Sequence, residues 1–350
     1  MAADSSLRAL GEFGLIARVE EGLARENSKT FLSVLKGIGD DAAVCKLREE
    51  GSLLVTTDLL IEGVHFDLAY ESPETIGFKA LAVNASDIGA MGGEPWGFVL
   101  ALALPSGFSK DWLDRFLSGM AAFQDAHPCI ALGGDTSKSP GGAFLCITFL
   151  GRLPQSSKLL ARDGARPGDR ILVTGIPGSS ALGLNLLKRF GPSALENQEA
   201  RPFVEAYLKP RPPLVFAKEV AQKGLANAAI DISDGLVQDL GHIARLSNLR
   251  AFLELDSIPM EGLEPMSCML GIEASDLALA GGEDYGLILS VPAHSLKEVQ
   301  RLGKRLNVVV HEVGRFERGE QGVYACKEGQ APSRLKKGGY EHFRDESAHP

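Results

Sequence analysis

Short apolar runs alternate with helical segments along most of the 350-residue chain, and this alternation limits the fold more than any other feature. Residues 52–60 and 96–105 are typical of strands, whereas 73–93 and 111–126 have the spacing of helices. The alternation resumes after a polar, turn-rich segment at 154–169. We therefore expect two α/β (α+β) domains, comprising residues 1–153 and 154–350.

Two further segments carry structural expectations. Residues 10–19 are typical of a short amphipathic helix. Residues 277–292, LALAGGEDYGLILSVP, predict a strand hairpin or a pair of strands.

Composition narrows the class of protein. The chain is 45% hydrophobic and 23% charged, as in ordinary globular domains. Its five cysteines are scattered without C-x-x-C spacing, which indicates free thiols in a reducing compartment. A secretory signal is not evident, and the chain has no run of about 18 uncharged apolar residues. We expect a cytoplasmic protein with no membrane partner.

The net charge of −9 and the lack of any Lys/Arg-rich run argue against nucleic acid as a partner. Many aspartates fall instead in short glycine-rich stretches. An acidic site can receive an anionic substrate only if cations lie between the two. The charge pattern therefore favours a metal-dependent enzyme acting on anions.

Several acidic, glycine-rich stretches carry the chemistry. Any one of them taken alone is typical of an ordinary turn, but the set is harder to explain in that way. We expect Asp58, Asp135 and Asp231 at strand ends, where they can converge in one crevice. Such hard oxygen ligands suit Mg²⁺. The stretches are GIGDDAAV (37–44), TTDLLIEGVHF (56–66), NASDIGAMGG (84–93), GGDTS (133–137), DISDG (231–235) and GGEDYG (281–286).

Two acidic residues lie in or next to predicted helices. Asp87 shares a helix face with Asn84, although an ordinary solvated aspartate fits the pattern as well. Asp234 follows Ser233 at a predicted helix N-terminus, where it could cap the helix, and the free N–H groups there could attract phosphate. The segment TGIPGSSALG (174–183) is open to two interpretations, a plain strand–turn–helix connection or a phosphate-contacting loop.

Known nucleotide motifs are missing from the chain. It contains no G-x-x-x-x-G-K-[ST] sequence, so it is not a P-loop protein. The H-R-D and D-F-G motifs of protein kinases are also missing. No Ser/His/Asp or Cys/His arrangement can be argued from spacing, which leaves the acidic stretches as the candidate site.

Taken in order, GIGDDAAV, TTDLLIEGVHF, KALAVNASDIGAMGG, LGGDTS, AIDISDGL and LAGGEDYGL resemble the thiamine-monophosphate kinase family. This family belongs with aminoimidazole ribonucleotide synthetase, selenophosphate synthetase and a hydrogenase maturation factor. The resemblance implies that ATP phosphorylates thiamine monophosphate by direct, in-line, Mg²⁺-assisted transfer. It also implies a homodimer in which the N-terminal sheets pair, with ATP lying between the two domains of a chain.

The resemblance also assigns roles to residues. Asp58, Asp87 and Asp135 are implied as catalytic residues. The implied ATP contacts are Gly134, Asp135, Arg162 and Ser233, and the implied substrate contacts are His65, Glu283 and Tyr340. The implied metal ligands, which would hold several Mg²⁺ ions, are Asp41, Thr56, Thr57, Asp58, Asp87, Asp135, Asp231 and Asp234.

Rival functions come from the same superfamily and from another class. Selenophosphate synthetase needs a reactive residue in an N-terminal segment, but the first cysteine here is Cys45. The maturation factor needs a C-terminal cysteine, but the chain ends RDESAHP. Aminoimidazole ribonucleotide synthetase fits the motifs TTDLLIEGVHF and GGEDYGL less well. A non-catalytic nucleotide-binding relative would not need so many metal ligands.

Overall fold

The computed structural model describes residues 51–326 and 332–335 in full. It also describes Gly339 and positions 18, 21 and 22. Of residues 32–47, it describes the backbone of two strands, β1 (Leu32–Lys36) and β2 (Val44–Leu47), which form an antiparallel pair. Two compact units divide the chain, unit 1 (Met1–Ser157) and unit 2 (Lys158–Pro350).

Unit 1 contains a four-stranded mixed sheet in the order β3-β6-β4-β5. The strand β6 pairs antiparallel with both β3 and β4, whereas β5 joins β4 in parallel. Side chains alternate between the two faces, so one face carries the buried core residues Leu100, Ile147 and Phe149. The strands are β3 (Gly51–Ile61), β4 (Glu94–Leu104), β5 (Ile130–Lys138) and β6 (Phe144–Pro154).

Two helices of unit 1, α1 (Pro73–Ala90) and α2 (Lys110–Ala126), pack closely against each other. Ser72 caps α1 by accepting a hydrogen bond from the Thr75 N–H at 3.3 Å, and Pro73 occupies the first turn. Most side chains of α1 are buried, because the helix contacts both α2 and the sheet. This position brings Asp87, near the C-terminal end of α1, over the strand β3.

Unit 2 contains a seven-stranded sheet in the order β13-β12-β9-β11-β7-β10-β8. Its strands are β7 (Arg170–Thr174), β8 (Ala228–Asp231), β9 (Arg250–Glu254), β10 (Leu287–Val291), β11 (Val310–Glu317), β12 (Gly322–Cys326) and β13 (Ser333–Arg334). Its helices are α3 (Ser179–Phe190), α4 (Arg201–Leu208), α5 (Leu214–Gln222), α6 (Leu236–Leu246), α7 (Leu263–Leu270), α8 (Ala274–Ala280) and α9 (Leu296–Arg305).

One end of this sheet matters for function. The strand β10 pairs antiparallel with both β7 and β8, so β10 begins where β7 and β8 end. Leu287, the first residue of β10, is the register partner of Asp231. We call this the site edge of unit 2, because the segments 175–180, 231–235 and 281–286 all adjoin it.

The predicted α/β alternation is confirmed for most elements, and one prediction is wrong. Residues 277–292 do not form paired strands, because α8 extends to Ala280 and only β10 follows. The helix predicted at 10–19 lies almost wholly outside the described residues. Within the described part of the chain, Cys129, Cys146, Cys268 and Cys326 are free thiols. None of the helices described is both long and apolar enough to cross a membrane.

Candidate functional site

Three predicted site residues come together in unit 1. Thr56 and Asp58 are two positions apart on β3, so both point to the face that the helices cover. Asp87 lies on α1 above that face, and the Thr56 hydroxyl donates a hydrogen bond to its Oδ2 atom at 2.5 Å. The expectation that Asp58 ends a strand is wrong, because β3 continues to Ile61 by pairing with β6.

The two carboxylates of this cluster repel each other. Burial, together with the negative charge of Asp87, raises the pKa of Asp58 to about 6. A divalent cation would offset this repulsion, and a set of two carboxylates with a hydroxyl consists only of hard oxygen donors, which fits Mg²⁺. Among the described residues, no group of three or more His, Cys, Asp or Glu side chains is arranged so that it could hold a metal ion by itself. Water or phosphate oxygens would therefore have to complete the coordination.

Thr57 and Asp135 lie on the opposite face of the sheet. The Thr57 hydroxyl is 3.3 Å from that of Thr148, and Asp135 is the register partner of exposed Ala101 on β4. Asp135 is also inside β5 instead of at its end, so the expected strand-end position is wrong. The strands β3 and β5 are three strand spacings apart, or on the order of 14 Å. The structure therefore does not bring Asp135 to Asp58 within one chain.

Gly134 allows a close approach between β5 and β4. A Cβ atom at this position would lie 2.0 Å from the carbonyl oxygen of Leu100. The neighbouring Gly133 has nothing within 4 Å of such an atom. Of these two neighbours, Gly134 is therefore the one that the packing of the sheet requires to be glycine.

His65 lies on the turn that follows β3 and is half-buried. Its backbone N–H donates to the Ile61 carbonyl at 2.9 Å, and its ring Nδ1 accepts a hydrogen bond from the Ile61 N–H at 3.1 Å. Since Nδ1 is the acceptor, the neutral ring carries its proton on Nε2.

A second group of predicted residues meets at the site edge of unit 2. Asp231 is buried and ends β8, as expected from the sequence. The Glu283 N–H donates to the Ser233 carbonyl at 2.7 Å, and the Tyr285 N–H donates to the Ile232 carbonyl at 2.8 Å. The segments DISDG and GGEDYG are therefore held side by side.

The turn before α6 is built differently from the expectation. The helix begins at Leu236 with Gly235 as its N-cap, so neither Ser233 nor Asp234 caps it. Asp239 is the missed residue, because its Oδ2 accepts hydrogen bonds from the N–H groups of 233, 234 and 235 at 3.1, 3.1 and 3.0 Å. These N–H groups are consequently not free for a phosphate. An acidic residue in the first helical turn is the signal that could have identified Asp239.

Asp284 likewise accepts backbone hydrogen bonds at the start of another helix of unit 2, α3. Its carboxylate accepts hydrogen bonds from the N–H groups of Gly178 at 2.6 Å and Ser180 at 2.9 Å, at the start of α3. The TGIPGSSALG turn therefore meets a carboxylate of its own chain. Burial raises the pKa of Asp284 to about 7, and burial followed by the Asp234 charge raises the pKa of Asp239 to about 7.

Backbone strain is concentrated in the GGEDYG segment. Glu283 and Tyr285 have positive φ angles of 62° and 51°, which cost non-glycine residues free energy. Hydrogen bonds to the 232–233 carbonyls retain this conformation. Such strain is common where a side chain must be aimed at a ligand, which agrees with a substrate contact at Glu283.

A cavity of about 520 Å³ also opens at the site edge of unit 2. Asp284 and Ser179 line it from the two turns, and Lys209 and Arg211 line it from the segment that follows α4. Neither of these cations forms an ion pair within the described residues. Sequence reasoning did not single them out, although together they could attract an anionic group of a small ligand.

The remaining predicted residues fall elsewhere. The Arg162 carbonyl accepts a hydrogen bond from Ser247, which follows the C-terminal end of α6, so Arg162 lies about 16 Å along that helix from the turn at 233–235. Unit 2 thus does not bring Arg162 to Ser233. Asp41 and Tyr340 lie outside the described residues, although Gly339 packs against the Asp234 carbonyl and Gln238.

Comparison with known protein families gives two matches. Residues 39–153 match the family described as AIR synthase related protein, N-terminal domain. Residues 166–327 match AIR synthase related protein, C-terminal domain. Together the two matches cover most of the chain.

Individual proteins are similar over nearly the whole length. A thiamine-monophosphate kinase from Salmonella typhimurium is 36% identical over 335 residues, which is 96% of this chain and 99% of the relative. The crystal structure of thiamine-monophosphate kinase from Stenotrophomonas maltophilia superposes with a TM-score of 0.79 at 35% identity, covering 90% of this chain and 96% of that one. A structure described as AaThiL complexed with AMPPCP and TMP gives a TM-score of 0.72 at 30% identity, covering 98% of this chain and all of that one.

Proposed function

The chain belongs to the thiamine-monophosphate kinase family of AIR synthase related proteins, and on this premise we propose that it transfers the γ-phosphoryl group of ATP to thiamine monophosphate. The product is thiamine diphosphate. The observation that carries the proposal is the similarity, over 98% of the chain, to a structure that holds AMPPCP and TMP. The acidic clusters of both units agree with a reaction between two phosphate-bearing molecules.

In unit 1, the proposed metal ligands are Thr56, Asp58 and Asp87. Their support is the hydroxyl–carboxylate contact and the raised pKa of Asp58, which together mark a half-buried site short of positive charge. When bound, Mg²⁺ would neutralise charge on the transferred phosphoryl group and hold it in line. The protein's own contribution is to keep the two carboxylates rigidly on β3 and α1, since rigid elements position ligands well.

Thr57 and Asp135 are proposed to act at the other face of the same sheet, and Gly134 is the residue of β5 that precedes Asp135. The implied roles remain metal binding for Thr57 and Asp135 and ATP contact for Gly134 and Asp135. Because Asp135 and Asp58 are on the order of 14 Å apart across the sheet, one ion cannot touch both carboxylates in a single chain. We therefore propose that they serve different metal ions or different copies of the site.

In unit 2, Asp231 and Asp234 are proposed metal ligands and Ser233 a proposed ATP contact. Glu283 is the proposed substrate contact, and its strained backbone supports that role. The proposed set also includes His65 and Tyr340 for the substrate, Arg162 for ATP, and Asp41 for a metal.

The acceptor needs little help from the protein. A phosphate monoester has a second pKa near 6, so its attacking oxygen is mostly deprotonated at pH 7. A dedicated general base is therefore unnecessary. We propose direct transfer without a phosphorylated enzyme, so the chain's residues bind, align and screen the reactants.

A homodimer is part of the proposal. On β3, the side chains of Leu53, Val55 and Leu59 are 47%, 61% and 49% exposed on the sheet face that the helices leave open. An apolar face of this kind is commonly covered by another protein surface, and a second copy of the same sheet would cover it. Val55→Lys should then shift the protein from dimer to monomer in analytical ultracentrifugation. A wild-type monomer would contradict the proposal. The free thiols support a cytoplasmic location.

The activity is tested by ADP release. We expect release with Mg²⁺, ATP and thiamine monophosphate, and none with thiamine or after chelation by EDTA. ADP release that does not depend on thiamine monophosphate would indicate a different function, and ADP release that is unaltered after chelation would overturn the metal assignment. Trapping a labelled protein from γ-labelled ATP at a kinetically competent rate would rule out direct transfer.

A further inference from the structure

We propose that Asp239 is a positioning residue that holds the turn at 233–235, and through it Glu283, in the conformation that binds the reactants and their cations. This inference deepens the proposed function and rests on it. Asp239 is outside the motif DISDG and would touch neither substrate nor metal itself.

The first support is the geometry of the turn. One oxygen of Asp239 accepts three consecutive backbone N–H groups, at 3.0 to 3.1 Å, and the residue is only 2% exposed. A usual N-cap side chain precedes the helix and satisfies one or two N–H groups of its first turn. Here the acceptor reaches back from inside the helix and satisfies the N–H groups that precede it. The direction of the turn therefore depends on this carboxylate.

The second support is that the turn adjoins a second segment. With its N–H groups bound to Asp239, the turn directs the carbonyl of Ser233 to the Glu283 N–H at 2.7 Å. Gly235 adopts a φ of 125°, which disfavours any other residue, so the turn has few alternative conformations. Loss of the Asp239 acceptor would thus be transmitted to Glu283 as well as to Asp234.

The third support concerns the kind of ligand. Three N–H groups in a row at a helix start would ordinarily attract a phosphate. Here one carboxyl oxygen of Asp239 already accepts all three, so the proposed ligand-binding groups of the turn are the side chains of Asp231 and Asp234, and Asp234 Oδ2 also accepts a hydrogen bond from Gln238 Nε2 at 3.0 Å. We infer that this turn binds the reactants through cations and not through its backbone N–H groups. Binding at the turn should then depend on Mg²⁺.

The test compares Asp239→Asn with a matched variant, Asp169→Asn. Asp169 is 4% exposed and likewise accepts three hydrogen bonds, from the Arg166 N–H at 3.0 Å, Asn227 Nδ2 at 2.8 Å and Ser290 Oγ at 2.7 Å. It lies just before β7, at the end of that strand remote from the site edge. Both substitutions replace a buried carboxyl group that accepts three hydrogen bonds with an amide, whose oxygen is a weaker acceptor, but only at Asp239 do those bonds hold the turn.

The measurements are the melting temperature, kcat, the KM values for ATP and thiamine monophosphate, and the half-saturating Mg²⁺ concentration. We expect Asp239→Asn to raise the half-saturating Mg²⁺ concentration about tenfold or more, as for other residues that orient metal ligands. Asp169→Asn should change the melting temperature and leave these constants close to wild type. Equal Mg²⁺ dependence in both variants, or wild-type constants in Asp239→Asn, would overturn the proposal.

Two further measurements keep the test decisive. Asp239→Glu keeps the carboxyl group but lengthens the side chain, so it should also raise the half-saturating Mg²⁺ concentration while preserving the fold, and wild-type behaviour in this variant would count against positioning. The shift in melting temperature produced by ATP with Mg²⁺ reports binding without turnover. If wild-type protein binds Mg²⁺ and ATP but releases no ADP with thiamine monophosphate, the proposed function fails, whereas the positioning role is still decided by the binding shifts.

Discussion

Replacing Asp58 with asparagine should stabilise the metal-free protein and abolish its activity. The pKa of Asp58 is raised from its usual 3.8 to about 6 by burial and by Asp87, so keeping this side chain charged in the folded state costs about 3 kcal/mol. Asparagine has nearly the same shape and carries no charge. The Asp58→Asn variant therefore escapes the cost, but it also loses a proposed metal ligand.

The sign and the size of the effect follow from proton linkage. Because the pKa is higher in the folded state than in the unfolded state, the stabilising contribution of the proton is fully present below pH 3.8 and is lost as the pH rises through 6. The advantage of Asp58→Asn should be largest at pH 8 and about half as large at pH 5. For a unit of this size (Met1–Ser157), about 3 kcal/mol corresponds to a rise in melting temperature of roughly 6–12 °C.

The assay is differential scanning fluorimetry at pH 8 and pH 5, with EDTA or with Mg²⁺ and ATP, alongside ADP release. In EDTA at pH 8, Asp58→Asn should melt above wild type. With Mg²⁺ and ATP, wild type should gain stability by binding, and the variant should gain less. The variant should also retain less than about a tenth of the wild-type rate, a loss above about 1.4 kcal/mol.

A matched control is Asp111→Asn, since Asp111 lies in the same unit but is 78% exposed. It should match wild type in both melting temperature and Mg²⁺ response. If Asp58→Asn melts at or below wild type in EDTA at pH 8, the repulsion inferred for Asp58 and Asp87 is wrong. If Mg²⁺ stabilises both proteins equally, Asp58 is not a metal ligand.

Three other outcomes are expected. Gly134→Ala should force β4 and β5 apart, which should reduce the free energy of unfolding by about 1–3 kcal/mol and lower the melting temperature of unit 1. Gly133→Ala should not have this effect, and equal melting temperatures of the two variants would refute the packing argument. Arg115 donates two hydrogen bonds to Glu74 and lowers the pKa of Glu74 to about 2, so this contribution is present above pH 4.5 and lost as the pH falls towards 2. Glu74→Gln should then reduce stability at pH 7 by less than about 1 kcal/mol, because both side chains are partly exposed, and a reduction that persists at pH 2 would contradict the pairing. Glu283→Ala should raise the KM for thiamine monophosphate more than that for ATP, and equal changes would remove Glu283 from the acceptor site.

The sequence by itself determined the order of the elements and the family. The apolar run at 96–105 is short and ends at a proline, which favours a strand, and the spacing of 111–126 favours a helix, so local pattern was sufficient for these elements. The acidic motifs were also sufficient for the family, because their residue types and order are properties of the chain itself. The domain boundary at residues 153 and 154 stays a prediction, as do the roles of the individual site residues.

Only the tertiary structure decided how the acidic residues are distributed. Whether Asp58 and Asp135 end their strands, and which face each one occupies, depends on pairing with β6 and β4, whose residues are distant in sequence. In the same way, local pattern left the TGIPGSSALG turn open to phosphate contact, but the folded chain gives the N–H groups of Gly178 and Ser180 to Asp284, which is more than 100 residues away in the sequence. Register and long-range hydrogen bonds arise only when the elements pack, so a one-dimensional pattern cannot contain them.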